Sequence, residues 1–193
     1  FVDPLAPSCD TFRRALSRPG SEALVAGETR LTYAELDAQA AKIAAGLAAR
    51  GIGPGMRVGM LLGNRIAFVT LLLAVFRLGA IAVPMGTRLQ KPEIAYILDH
   101  AGASLLVHEA DLADRLPDPS EIPQLQHRFA AGGESAGSLP FAELFGTGAA
   151  PEPASPAEEE TAVFLYTSGT TGRPKGAMLT HFNIVHSALH FQY

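Results

Sequence analysis

The chain has 193 residues, of which 48% are hydrophobic and 18% charged, and its formal net charge is -4. This composition is typical of a globular domain with a hydrophobic core, and no basic block supplies the electrostatic surface of a nucleic-acid-binding protein. The most apolar stretch, residues 66–76, falls short of the roughly 20 residues that a membrane span needs, so we expect no integral membrane segment.

The cellular compartment is predicted from two weak signals. Cys9 is the single cysteine of the chain and cannot form an internal disulfide. The first residues, Phe1 to Pro4, show no basic region followed by an apolar run, so no signal peptide is visible. Both observations favour the reducing cytoplasm.

The N-terminal elements are predicted to be a small hairpin and a helix. A hairpin with Gly27 at its turn is expected before residue 32. Thr32 then opens a helix, because Glu35 three residues later completes a capping box. Gly51 is expected to cap the end of this helix.

Alternating strands and helices follow, which predicts an α/β fold with a mostly parallel sheet and helices on both faces. Asn64 is expected to cap the first helix of this region, which stops at Gly79, and Pro92 and Glu93 suit the first turn of the next. The predicted strands are 56–62, 80–84 and 104–108.

The chain changes character after Leu116. Residues 117–160 are rich in Pro, Gly, Ala and Glu, which predicts a long, partly mobile surface excursion. Residues 161–166 form a fresh apolar strand, and the simplest fold returns this strand to the same sheet. Residues 1–193 are therefore predicted to belong to one large domain.

A loop suited to phosphate binding follows this strand. Residues 167–175 hold four hydroxyls and one lysine, and the glycines of 167–176 let an anion approach backbone amides. A Walker loop is excluded because Pro174 stands where its second glycine belongs, and Thr171 breaks the dinucleotide fingerprint. From composition alone, a glycine-rich hairpin that binds nothing remains an equal alternative.

Residues 166–176, Tyr-Thr-Ser-Gly-Thr-Thr-Gly-Arg-Pro-Lys-Gly, resemble the AMP-binding signature of the adenylate-forming superfamily. This superfamily includes acyl-CoA synthetases, adenylation domains of peptide synthetases and beetle luciferases. Residues 31–36, 76–84 and 93–98 are also similar to family segments. Residues 85–89, Met-Gly-Thr-Arg-Leu, depart from the Asn-Pro-Arg-Leu common in acyl-CoA synthetases.

The resemblance implies ATP-dependent activation of a carboxylic acid, expected to be a fatty acid, followed by thioester formation with coenzyme A. It places Thr167 nearest Mg²⁺ and gives Lys175 a charge or loop-shaping role. The family's catalytic lysine has no counterpart in this chain, so no catalytic residue is assigned. The residues expected to surround the β- and γ-phosphates of ATP are Thr167, Ser168, Gly169, Thr170, Thr171 and Gly172.

Two alternative functions stay open, a peptide-synthetase adenylation domain and a non-catalytic phosphate-binding module. By resemblance the chain is the N-terminal portion of the enzyme and is truncated at its C-terminus, so the isolated fragment is expected to be inactive. His181 is expected to be a packed histidine rather than a ligand, and Asn183 a helix cap. His186 and His190 have helical spacing but no further support for a metal.

Overall fold

The computed structural model describes residues 17–167 and 173–190, apart from the side chain of Leu189. The predictions for Ser168, Gly169, Thr170, Thr171 and Gly172 therefore lie outside the described residues. None of the described helices is long and apolar enough to cross a membrane.

The N-terminal hairpin and helix follow the prediction. Strands β1 (Glu22–Ala26) and β2 (Thr29–Thr32) pair antiparallel, and Gly27 turns with a φ of 60°. Helix α1 (Tyr33–Ala48) begins with the predicted capping box, since the Glu35 amide donates to Thr32 Oγ1 and the Thr32 amide to Glu35 Oε2. The C-cap is Ala49, so the predicted cap Gly51 (φ 79°) is wrong by two residues and lies beyond the end of the helix.

The following elements are β3 (Arg57–Leu61), α2 (Ile66–Arg77), β4 (Ile81–Pro84), α3 (Lys91–Ala101), β5 (Ala103–Glu109), β6 (His127–Ala131), β7 (Leu139–Pro140), β8 (Thr161–Thr167), β9 (Lys175–Thr180) and α4 (His181–His190). A seven-stranded sheet is the centre of the described structure, in the order β7-β6-β5-β3-β4-β8-β9. All neighbouring strands are parallel except β8 and β9. The fold prediction is confirmed, including the return of β8 to the same sheet, where it pairs with β4.

Helices cover both faces of the sheet, because successive side chains of a strand point to opposite sides. Met60 of β3 packs in one buried cluster with α1 and α2. Leu61, the next residue, packs in a second cluster with Ile94 and Leu98 of α3. The connections after β3 and β4 therefore leave the sheet toward opposite faces.

The helix that follows β3 starts one residue later than predicted. Its N-cap is Arg65, which has no capping side-chain bond, so the prediction of an Asn64 cap is wrong. The chain is instead held at Glu109, whose Oε1 accepts a hydrogen bond from the Gly63 amide at 2.8 Å and forms an ion pair with Arg65, 3.0 Å from its Nε. The carboxylate of Glu109, at the end of β5, thus takes the place of a capping side chain at the start of α2.

Residues 117–160 are not wholly a surface excursion, and the prediction is wrong for the parts that are buried, namely Ile122, Leu125, residues 129–131 and Leu144. Strand β6 pairs with β5, and Phe129 is fully buried. The short 3₁₀ helix Phe141–Leu144 buries Leu144 against α1 and the sheet. The extension of the sheet was missed because β6 is short and begins with His127 and Arg128, which weakens its apolar signal. The mobility of the remaining residues and the extent of the domain stay predictions.

Candidate functional site

The candidate loop connects β8 and β9, the two strands of an antiparallel hairpin. Thr167 ends β8 and lies directly opposite Lys175, the first residue of β9. Tyr166 lies opposite Gly176 in the same register. The two ends of the predicted phosphate loop are therefore adjacent, and the loop begins at the carboxyl end of a strand that runs parallel to β4.

Of the predicted binding residues, the structure brings Thr167 and Lys175 together and leaves both exposed. Arg173, also exposed, adds a second cation to the same end of the hairpin. A hydroxyl and two cations at one edge suit an anionic ligand such as the phosphates of ATP. Hairpin geometry alone does not separate this role from a plain turn, so the phosphate assignment remains a prediction.

A cavity of about 240 Å³ lies beside the loop, between the end of β4, the start of α3 and the hairpin. Open α/β sheets bind ligands in a crevice of this kind. It lies beyond the carboxyl ends of two neighbouring strands whose connections leave toward opposite faces of the sheet. It includes Met85 and Gly86, part of the segment that departs from the acyl-CoA synthetase pattern. Its lining residues are Pro84, Met85, Gly86, Leu89, Glu93, Ile97, Tyr166, Thr167 and Pro174.

Tyr166 is the best-anchored side chain of the hairpin. Its hydroxyl lies 2.8 Å from His100 Nδ1 on α3. Burial, with a smaller contribution from Tyr96, raises the pKa of the Tyr166 phenol, so this group keeps its proton at neutral pH. Gly176 lies close to the ring, since a Cβ at this position would be 3.0 Å from Tyr166 Cζ and the ring would have to shift by a few tenths of an ångström.

A magnesium ion at this edge would need ligands beyond the described side chains. Among residues 17–167 and 173–190, no group of three or more His, Cys, Asp or Glu side chains could hold a metal ion. Thr167 offers a hydroxyl, an oxygen ligand of the kind Mg²⁺ accepts alongside waters and substrate phosphates. Thr167 therefore fits as one contact of an ion shared with a bound triphosphate.

The first histidine after the loop is part of the core. His181 is fully buried, and its ring meets Phe76 edge-on with centroids 5.8 Å apart, so the packed interpretation is confirmed. Burial lowers the pKa of His181, with a smaller opposing effect from Glu160. Asn183 Oδ1 accepts from the Thr180 amide at 3.0 Å, while Thr180 Oγ1 accepts from the Asn183 amide at 3.2 Å, which closes the start of α4.

Sequence reasoning missed two residues beside the loop, Tyr96 and His100. They are one helical turn apart on α3, and their rings stack with centroids 5.3 Å apart. The contact could not be predicted because both residues are far from the loop in sequence. Aromatic residues at i and i+4 are also common on helices and do not by themselves indicate a binding site.

The chain is similar in sequence to several known proteins. Residues 11–193 match the family model described as AMP-binding enzyme. A feruloyl-CoA synthase of an Amycolatopsis species is 37% identical over 172 residues, covering 89% of this chain and 33% of that protein. The long-chain-fatty-acid–CoA ligase FadD13 of Mycobacterium tuberculosis is 37% identical over 182 residues, covering 91% of this chain and 35% of that protein.

The fold agrees with a solved relative as well. The structure of the anthranilate CoA ligase AuaEII in complex with anthranoyl-AMP superposes with a TM-score of 0.87 and 28% identity, over 94% of this chain and 36% of that chain. This chain thus spans about a third of the length of the curated relatives it matches. The match over residues 11–193 places the chain in the family of AMP-binding enzymes.

Proposed function

We propose that the protein activates a carboxylic acid with ATP and transfers the acyl group to coenzyme A. The observation that carries this proposal is the loop of 167–175, whose ends Thr167 and Lys175 face each other at a ligand-binding edge of an AMP-binding fold. Relatives named as CoA synthases and CoA ligases support the choice of thiol.

The reaction has two steps. A carboxylate oxygen attacks the α-phosphorus of ATP, which forms an acyl-adenylate and releases pyrophosphate. The thiol sulfur of coenzyme A then attacks the acyl carbon, loses its proton and displaces AMP. The first step joins two anions, so it needs fixed positive charge and donors where pyrophosphate leaves.

The residues of this chain would act mainly in the first step. Lys175 and Arg173 lie where they can balance the charge of the β- and γ-phosphates, and the hydroxyls of Ser168, Thr170 and Thr171 would donate to phosphate oxygens. Mg²⁺, when bound, would neutralise part of that charge, with Thr167 as its ligand. Location in the cytoplasm stays a prediction from Cys9.

A fatty acid is the proposed substrate class. FadD13, named for long-chain fatty acids, and the feruloyl-CoA synthase are equally similar to this chain. The test must therefore include aromatic acids as well as fatty acids.

The experiment is acid-dependent exchange of labelled pyrophosphate into ATP by the full-length protein, followed by detection of acyl-CoA. We expect exchange with fatty acids of some chain length and none with acid omitted. Exchange only with aromatic acids would overturn the substrate proposal. Exchange without acyl-CoA formation would overturn the acceptor, and no exchange with any acid would overturn the proposed function.

A further inference from the structure

Two aromatic side chains of α3 touch both ends of the phosphate loop. Tyr96 and His100, called here the aromatic pair, stack on each other at an interplanar angle of 26°. Tyr96 is half-buried against the core, whereas His100 is exposed. Since α3 packs on the sheet through Ile94, Ile97 and Leu98, all fully or almost fully buried, the pair is carried by a rigid element.

The first contact is made where the loop begins. His100 Nδ1 and the Tyr166 hydroxyl are 2.8 Å apart, and the two rings meet edge to face at 87° with centroids 5.9 Å apart. The Tyr166 phenol, which stays protonated, donates to Nδ1 when the imidazole carries its proton on Nε2. Tyr166 directly precedes Thr167, so this bond fixes the residue from which the loop starts.

The second contact is made where the loop ends. The guanidinium carbon of Arg173 lies over the Tyr96 ring, 5.8 Å from its centroid. This distance is within the range of a cation–π interaction, which is worth little at an exposed site but orients the cation. Gly176, beyond Arg173, lies against the Tyr166 ring, so the returning chain is packed on the same aromatic group.

We propose that Tyr96 and His100 are positioning residues that hold Tyr166 and Arg173 in place beside the site where the phosphates of ATP would bind. The inference rests on the proposed function for its ligand, but the contacts themselves do not depend on it. Residues that are fixed before a ligand arrives reduce the conformational entropy that is lost on binding. The pair itself touches no phosphate in this account.

The first test removes the acceptor for the Tyr166 hydroxyl. In the full-length protein, His100→Ala should weaken ATP binding about 3- to 10-fold, which is the effect of one ordinary hydrogen bond. His100→Asn, whose side-chain oxygen can accept near the position of Nδ1, should restore most of the affinity. Tyr166→Phe should match His100→Ala, and the double variant should be no worse than either, because both remove the same bond.

The second test uses a measurement that needs no ATP. Hydrogen–deuterium exchange of the peptide that spans 166–176 should be faster in His100→Ala and in Tyr96→Ala than in the unaltered protein. It should be unchanged in Tyr96→Phe, which keeps the ring under Arg173, and in the matched control His127→Ala on β6. The melting temperature of His100→Ala should stay within about 2 °C of the unaltered protein, because a contact made by an exposed side chain contributes little to global stability.

The outcomes separate this inference from the proposed function. Unchanged loop exchange and unchanged ATP affinity in His100→Ala would overturn the positioning role. The positioning role would also be overturned if His100→Asn restored neither the loop exchange nor the ATP affinity. The same conclusion would follow if His100→Ala lowered the melting temperature strongly and slowed both half-reactions equally. If the unaltered protein showed no acid-dependent pyrophosphate exchange, the proposed function would fail, while the exchange measurements would still decide whether the pair holds the loop.

Discussion

At the residue scale, Lys175 offers the most direct test of the loop. Pyrophosphate leaves with several negative charges, and losing one well-placed partner of a developing anion typically costs about 10²–10³ in rate. Lys175→Ala in the full-length protein should slow acyl-adenylate formation by roughly that factor. The second half-reaction, started from pre-made acyl-adenylate, should change far less, because pyrophosphate has already gone.

The control for this prediction is Lys42→Ala, which removes the same charge from an exposed position on α1. Lys42→Ala should leave both half-reactions unchanged. Equal losses in the two half-reactions of Lys175→Ala, with a lower melting temperature, would favour the plain hairpin. Unchanged adenylation would remove Lys175 from the proposed site.

His108 gives a residue-scale prediction for pH. It is fully buried, with Nδ1 2.7 Å from the Glu109 carbonyl and Nε2 2.8 Å from Ser138 Oγ. Burial lowers the pKa of His108 below its ordinary value of 6.5, and the charge of Arg128 lowers it further, while Glu109 opposes both. As the pH falls below 6.5, the unfolded chain takes up a proton that the folded state resists, so the free energy of unfolding decreases.

His108→Gln removes this titration and keeps hydrogen-bonding atoms. Urea denaturation of the full-length protein at pH 8 and pH 5.5 should show a smaller loss of stability on acidification in His108→Gln than in the unaltered protein. His127→Gln, on the neighbouring strand, should leave the acid-induced loss unchanged. An identical loss in all three proteins would contradict the account.

At the element scale, the strands predicted from sequence were those with dense apolar runs. Strands β3, β4 and β5 lie in the middle of the sheet, and their burial produces the uninterrupted hydrophobic stretches from which they were identified. Strands β6 and β8 are each second from an edge. Strand β8 still has a dense apolar run, whereas β6 opens with two polar residues and β9 follows the loop with Lys175 and Gly176. Strands β6 and β9 pair with strands that are distant in sequence or lie across a loop, and the local amino-acid composition does not predict such pairing.

Strand β6 contributes to the core, and this contribution gives a prediction about stability. Phe129 is fully buried, and the guanidinium of Arg50 lies 4.9 Å from its ring centroid. Truncation of a buried Phe costs about 3–5 kcal/mol, through lost apolar burial and the cavity left behind. Phe129→Ala should therefore lower the free energy of unfolding by about that amount in urea denaturation.

Its matched control is Leu139→Ala. Leu139 is the register partner of Phe129 on β7 but is 44% exposed. This variant should cost less than about 1 kcal/mol, because little apolar surface returns to water. Equal effects of the two substitutions would restore the interpretation of residues 117–160 as a surface excursion.

At the scale of the whole molecule, the sheet order determines where the loop can act. The connection after β3 covers one face and the connection after β4 covers the other, so a crevice opens at their carboxyl ends. Because β8 returns to the sheet beside β4, Thr167 lines that crevice and Lys175 lies opposite Thr167 on β9. The loop could be predicted from its own residues, whereas Tyr96 and His100 could be found only once the fold had placed α3 beside it.

The last prediction concerns residues 1–193 expressed alone. We expect no carboxylate-dependent pyrophosphate exchange above background, because the family resemblance places the adenine-binding loop and the catalytic lysine outside these residues. The hairpin that carries the loop also exposes Leu165 (40%) and Met178 (65%), so it lacks packing that a longer chain could supply. Circular dichroism with a cooperative melting transition would show that the fragment is folded in the assay. Clear turnover by the folded fragment would mean that the parts assigned to the remainder of the enzyme are not essential for adenylation.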